Sequence, residues 1–367
     1  TQNENIPELL LTITDGSGNA VTDITSLTYK TVTDGKGASI SGYDITNKSG
    51  VITLFNNKEI TASPTKTEQW NITVTLVNYD KDQSNNMGKS FNAKLMIQKE
   101  EFRESVATVC SNGQTLSSCI ISMDGKDDTL YYHDGSLENG INDNSYRYAG
   151  ASDSVNNYIC LGSDATTCPD ANLFRIIGVF GDQTKVIRAK SVGNQKWHSS
   201  EVNTWSTSSL NTYLNGEYLT SLGTLADKIA TTTWKVGGGS AKNLQVVPAT
   251  AYKYEVGSSA STTTYDAKIG LMYVSEYGFA TDPSGWTTKL SSYNSNTSKN
   301  WLFLGFTEWT ISRYSYDTNY AFRVLATGAI SNRKVTDSIV VRPSFNLLSS
   351  VTYASGSGTS SDPIRIN

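Results

Sequence analysis

Charge is scarce in this chain of 367 residues: 17% are Asp, Glu, Lys or Arg, and the formal net charge is −4. No Lys/Arg-rich run occurs. At a pI near 5.4 the chain lacks the positive field that gathers phosphate backbones or anionic lipid, and nucleic acid is excluded as an expected partner. Histidine is scarcer still, with only His133 and His198 able to act as near-neutral bases without tuning. No GxSxG nucleophile elbow appears. The GGG at 237–239 is not followed by the Lys-Ser/Thr of a phosphate loop and reads as a flexible turn. No catalytic constellation is complete, so the chain is not expected to be an enzyme. His198, between Trp197 and Trp205 in its loop, is expected to play a structural or surface part.

Long apolar runs are missing too, and no stretch of about 18 residues could span a bilayer as a helix. The sequence starts at Thr1 without an initiator Met and ends without a hydrophobic tail. The expectation is a mature or trimmed ectodomain, bound to a membrane only through an anchor upstream of Thr1.

What is present is neutral polarity, with Ser, Thr, Asn, Tyr and Gly supplying what Lys and Glu supply in most cytosolic proteins. Four cysteines fall into two short-range pairs, Cys110 with Cys119 and Cys160 with Cys168. Four cysteines allow three connectivities, and local disulfides are the simplest. Each would close a loop of about ten residues and stabilise by roughly 2–3 kcal/mol. Neither pair has the two-to-four-residue spacing that brings two thiolates onto one zinc ion. Disulfides imply an oxidising, extracytoplasmic setting.

Strand patterns dominate the first hundred residues. Trp70, Ile72, Val74 and Leu76 alternate with Asn71, Thr73 and Thr75, the signature of a half-buried strand. Phe91, Ala93, Leu95 and Ile97 repeat the pattern after a polar loop, which predicts an antiparallel hairpin. Leu9–Thr14, Leu27–Val32 and Gly50–Phe55 are shorter strand candidates between Gly, Asp and Asn turns. Residues 1–99 therefore read as an all-β immunoglobulin-like sandwich serving as a spacer.

Residues 100–123 read as a junction, with a short helix in KEEFRESVATVC and the first cysteine loop. Asp124, Asp127, Asp128 and Asp134 crowd hard oxygen donors into the next loops, which would suit a structural calcium ion. They lack EF-hand spacing, and Asp/Asn/Gly turns account for the same residues, so no cofactor is expected. Regular structure returns at Phe174–Phe180 and Lys185–Ala189, two strands around a Gly181-Asp182 turn. Ser208 or Ser209 is a good N-cap for a helix whose Leu210, Tyr213, Leu214 and Tyr218 share one face. Leu222–Thr231 repeats that spacing. Lys268–Val274, Trp301–Phe306, Trp309–Ser312, Tyr320–Ala326 and Ser338–Leu347 are further strand candidates. Two helices followed by many short antiparallel strands make 124–367 an α+β domain.

The segments LFRIIGVFGD, TWSTSSLNTYLNGEYL, AKIGLMYVSEYGF, NWLFLGFTEWTISR, NYAFRVLATG and VVRPSFNL resemble an uncharacterised family of surface domains from low-GC Gram-positive bacteria. The resemblance implies a C-type-lectin-like fold of the formylglycine-generating-enzyme branch. It does not bring that branch's chemistry, because the copper-binding cysteine pair of the oxidase would lie after Cys168, where this chain has none. The EPN, QPD and WND motifs of calcium-dependent lectins are also missing. The first hundred residues are similar to β-sandwich modules of exported proteins from the same bacteria.

Between the strand patterns of WLFLGF and VVRPSFNL lies a run rich in Tyr, Arg and Asn. Trp309, Arg313, Tyr314, Tyr316, Asn319, Tyr320, Phe322, Arg323, Asn332, Arg333 and Lys334 form the candidate ligand surface, since Tyr and Arg bury area at modest entropy cost and still hydrogen-bond. The expected partner is a protein or a glycan on a host or neighbouring cell. Two other readings stand beside this one. One is a pilin-like or cell-envelope subunit that self-assembles. The other is a receptor domain diversified by a retroelement, which would enrich Asn, Tyr, Ser, Asp and Arg in SRYSYDTNYAFR.

Overall fold

A computed structural model describes residues 7–22, 24, 27–46, 48, 54, 69–83 and 105–367. It is a mixed α/β architecture with many antiparallel strands and few helices. The chain divides into two compact units, Thr1–Phe102 and Arg103–Asn367.

In the first unit, β1 (Leu9–Asp15), β2 (Tyr29–Thr33), β3 (Ser39–Asp44) and β4 (Trp70–Leu76) form an antiparallel sheet in the order β2-β3-β1-β4. Turn chemistry sets the ends of these strands. Asp15 accepts from the backbone N–H groups of Ser17 and Asn19, and Asp34 does the same for Lys36 and Ala38. Leu11, Ile13, Ile24, Tyr43 and Ile45 make a small core. β4 departs from the half-buried reading: its apolar alternation is present, but Ile72, Val74 and Leu76 are 39%, 38% and 62% exposed. β4 pairs with β1 in register from Leu9↔Leu76 to Asp15↔Trp70. The expected hairpin arm at Phe91, Ala93, Leu95 and Ile97, most of the candidate strand Gly50–Phe55, and residues 99–104 of the expected junction helix lie outside the described residues.

The second unit is built on one large core that includes five of the chain's seven tryptophans, Trp197, Trp205, Trp234, Trp301 and Trp309. The segment read as a junction joins it: Val106, Leu116, Cys119, Ile120 and Met123 are buried there. The helix in that segment is only Val106–Val109, and a second, unexpected one follows at Leu116–Ile121 inside the first cysteine loop. β5 (Leu130–Tyr132), β6 (Tyr146–Tyr148), β7 (Tyr158–Cys160), β8 (Leu173–Phe180) and β9 (Gln183–Arg188) belong to a six-stranded sheet. β8 and β9 are the expected hairpin, turned at Gly181 with φ +63°.

The helix expected from Ser208 forms. Ser208 accepts from the Asn211 N–H at 3.0 Å, and the helix runs Ser209–Tyr213, widens to a π-turn at Leu214–Tyr218 and closes at Leu219–Ser221. Leu210, Leu214 and Tyr218 are buried as the periodicity requires. The second helix is instead a 3₁₀ segment, Gly223–Lys228, preceding Ile229 in extended backbone. β10 (Asn194–Lys196), β11 (Thr232–Lys235) and β12 (Thr264–Ala267) follow, with helices Pro248–Glu255 and Val274–Phe279 that the sequence reading missed.

β13 (Glu308–Arg313), β14 (Tyr320–Val324), β15 (Ile330–Lys334) and β16 (Ser338–Val340) complete a second sheet in the order β10-β16-β13-β14-β15. β17 (Ser344–Asn346) returns to the first sheet beside β9, and β18 (Tyr353–Ser355) pairs with β19 (Arg365–Ile366). Ser338–Leu347 is therefore two strands in two sheets, broken around Pro343. Trp301–Phe306 is a turn rather than a strand, and Lys268–Val274 holds one bridge, at Gly270, before the helix that begins at Val274. Arg342 locks this region from inside: it donates from Nε and Nη2 to the Glu308 carboxylate at 2.7 and 2.9 Å, and from Nη2 to the Leu302 carbonyl at 2.7 Å.

Candidate functional site

Cys110–Cys119 and Cys160–Cys168 are disulfide-bonded, with Cα–Cα distances of 5.2 and 5.8 Å. No helix among the described residues is long and apolar enough to cross a membrane. The disulfides agree with an oxidising, extracellular setting.

β13 ends at Arg313, and the chain then makes a loop before β14 begins at Tyr320. A single side chain fixes that loop. Asn203, 1% exposed, donates from Nδ2 to the carbonyls of Tyr314, Asp317 and Tyr320 at 2.8, 2.9 and 2.7 Å. On the other side the triglycine segment packs against it. Arg313 donates from Nε to the Gly237 carbonyl, and the Gly239 and Ser315 N–H groups donate to the carbonyls of Arg313 and Gly239. A Cβ on Gly238, at φ +59°, would lie 2.0 Å from the Arg313 carbonyl oxygen. GGG is thus a close-contact segment that no side chain could enter, a correction to its reading as a flexible turn.

The eleven residues of the candidate surface divide in two. Trp309 and Phe322 are wholly buried, so they belong to the core. The Trp309 indole donates to the Gln195 carbonyl, and Phe322 meets the Tyr314 ring edge-on at 5.7 Å. The others reach solvent. Tyr316 is 75% exposed, and its ring lies 6.1 Å from that of Tyr314. Arg313, Tyr314, Asn319, Tyr320, Arg323 and Asn332 are partly exposed, while Arg333 and Lys334 are exposed. Register sets opposite faces: Arg323 pairs with Ser331 and Arg333 with Ala321, on one face of β14 and β15, whereas Lys334 pairs with Tyr320 on the other. Arg333 is ion-paired to Asp337, and Lys334 lies 3.9 Å from Glu201. Burial and the neighbouring Arg333 lower the pKa of Arg323, whose Nε has no protein partner. The sequence reading missed Val202, 42% exposed beside the pinning Asn203.

The histidines and acidic residues singled out in the sequence make the following contacts. His133 is wholly buried between Phe279 and Trp286, with ring centroids at 4.9 and 5.3 Å, and burial drives its pKa down to about 3. The Nδ1 of His198 accepts from the Ser200 N–H. Asp127 and Asp134 close turns, accepting from backbone and hydroxyl of Thr129 and of Ser136.

A second concavity lies where β6, β9, β11 and β17 meet, a cleft of about 180 Å³. On its floor Lys185 donates to Glu276 at 2.5 Å, and its ammonium sits 4.7 Å from the ring centroids of both Trp234 and Tyr273. Burial lowers the Lys185 pKa while Glu276 opposes the shift. Arg147 donates to Asp143 at 2.7 Å and lies over the rings of Phe180 and Tyr252 at 4.5 and 5.5 Å. Comparison with protein-family models, with curated proteins and with solved structures gives no match.

Proposed function

We propose that the chain is a cell-surface or secreted binding protein of adhesin type. In this reading Arg103–Asn367 is a C-type-lectin-like domain that contacts a protein or glycan, and the first unit is an immunoglobulin-like sandwich that serves as its stalk. The observation that carries it is an exposed tyrosine on a loop fixed from beneath: Tyr316 projects into solvent while Asn203 holds the carbonyls on either side of it. An aromatic side chain presented by rigid backbone loses little entropy on binding, which is the property of interface anchors. Val202, Tyr314 and Lys334 supply apolar area and charge beside it, with Arg333 on the opposite face of the β14–β15 hairpin.

The test is binding of the intact chain to glycan arrays and to surface proteins of host and bacterial cells, with Tyr316→Ala and Arg333→Ala as comparisons. The reading expects at least one saturable ligand and a loss of about tenfold or more for Tyr316→Ala, with the thermal midpoint unchanged. Equal binding by wild type and both variants would sink it.

A further inference from the structure

The cleft between β9, β17 and β11 carries chemistry that the tyrosine loop does not use. Lys185 on β9 and Asn346 on β17 are cross-strand partners, so they set an ammonium donor and an amide side by side, with Cβ atoms about 5 Å apart. Lys185 uses one of its three N–H groups, on Glu276. Asn346 is 9% exposed; its Nδ2 donates to Thr232 Oγ1 at 2.9 Å, and its buried Oδ1 has no protein partner. Leaving such an acceptor unmet carries a desolvation cost, which a ligand hydroxyl would recover. Lys235 at the rim makes no ion pair among the described residues, and its backbone N–H alone is fixed, by the Tyr273 hydroxyl.

Charge and size narrow the ligand. Arg147, Lys185 and Lys235 line the cleft together with Asp143 and Glu276, a balance of one positive charge that suits a single anionic group. The volume of about 180 Å³ falls below the roughly 300–1,000 Å³ of clefts for drug-sized ligands. The aromatic walls hold the cations in place and keep the local dielectric low, so a carboxylate entering there meets fixed donors rather than mobile ones.

We infer that this cleft binds a small hydroxylated monocarboxylate, its carboxylate on Lys235 and the free N–H groups of Lys185 and a neighbouring hydroxyl on Asn346 Oδ1. The chemistry is shared by free hydroxy acids and by sugar acids such as a uronic acid. It is separate from the tyrosine loop, and either assignment can fail without the other.

Calorimetric titration of the intact chain with glucuronate, lactate, glucose and acetate tests it. Glucuronate or lactate should bind saturably, and glucose and acetate at least tenfold more weakly. Tighter binding of glucuronate than of lactate assigns a sugar acid, and the reverse assigns a small hydroxy acid. Lys235→Gln, which leaves the fixed backbone N–H in place, and Asn346→Asp, which sets a negative charge beside the carboxylate, should each weaken binding about tenfold, whereas Tyr316→Ala should not change it. Acetate binding as tightly as the hydroxy acids, no saturable binding by either hydroxy acid, or full affinity in a folded Lys235→Gln variant would overturn the assignment.

Discussion

Trp309 and Tyr316 come from one short stretch of sequence, yet one is 0% and the other 75% exposed. Their chemistry as residues is alike; what separates them is backbone, since Trp309 sits inside a five-stranded sheet and Tyr316 on a loop. Trp309→Ala should therefore lower the unfolding free energy by about 3–5 kcal/mol, and Tyr316→Ala should leave it within about 0.5 kcal/mol, both read by urea denaturation. His133 makes a separate prediction. Its pKa falls from 6.5 unfolded to about 3 in the fold, so between those values the unfolded chain holds a proton that the folded chain refuses. Stability is fully present above pH 6.5 and declines as pH drops toward 3, by roughly 1.4 kcal/mol per unit. Replacing the ring by Phe should reduce the stability lost between pH 7.5 and 5 by about 2 kcal/mol; an unchanged loss would refute the assignment.

At the scale of elements, the tyrosine loop depends on Asn203 and the triglycine segment. Asn203→Ala would remove the side-chain donor shared by three carbonyls, of which only Asp317 and Tyr320 keep a backbone donor, and hydrogen exchange across 314–320 should speed up by an amount corresponding to about 1–3 kcal/mol. Exchange unchanged from wild type would mean that the amide does not hold the loop. Much of this level was readable in advance. The Ser208 cap with Leu210, Leu214 and Tyr218, and the β8–β9 hairpin around Gly181, followed from local pattern because local hydrogen bonds and one buried face determine them. Trp301–Phe306 did not, because an apolar run buried in irregular backbone shows the same residues as a buried strand. Asn203 was invisible for another reason: its partners lie more than a hundred residues along the chain. Pro248–Glu255, with only Pro248, Ala251 and Glu255 buried, gives too weak an apolar stripe to announce a helix.

For the whole molecule, the cysteine pairs were legible from spacing alone, while the cleft was not, since strands from four separate stretches of sequence build it. Each disulfide closes a short loop, and Cys119 lies in the main core. Reduction should cost roughly 2–3 kcal/mol per bridge, seen as a lower thermal midpoint in reductant; an unchanged midpoint with both thiol pairs alkylated would contradict that. The central claim is that the face carrying Tyr316 is where this protein meets its partner. Hydroxyl-radical footprinting of the intact chain, alone and bound to the cells or glycan that capture it, addresses this directly. The account predicts that Tyr316, Val202 and Lys334 are labelled in the free chain and protected on binding, with Trp309 and Phe322 protected in both states. Protection confined to other surfaces, or labelling of Tyr316 that binding leaves unchanged, would contradict it.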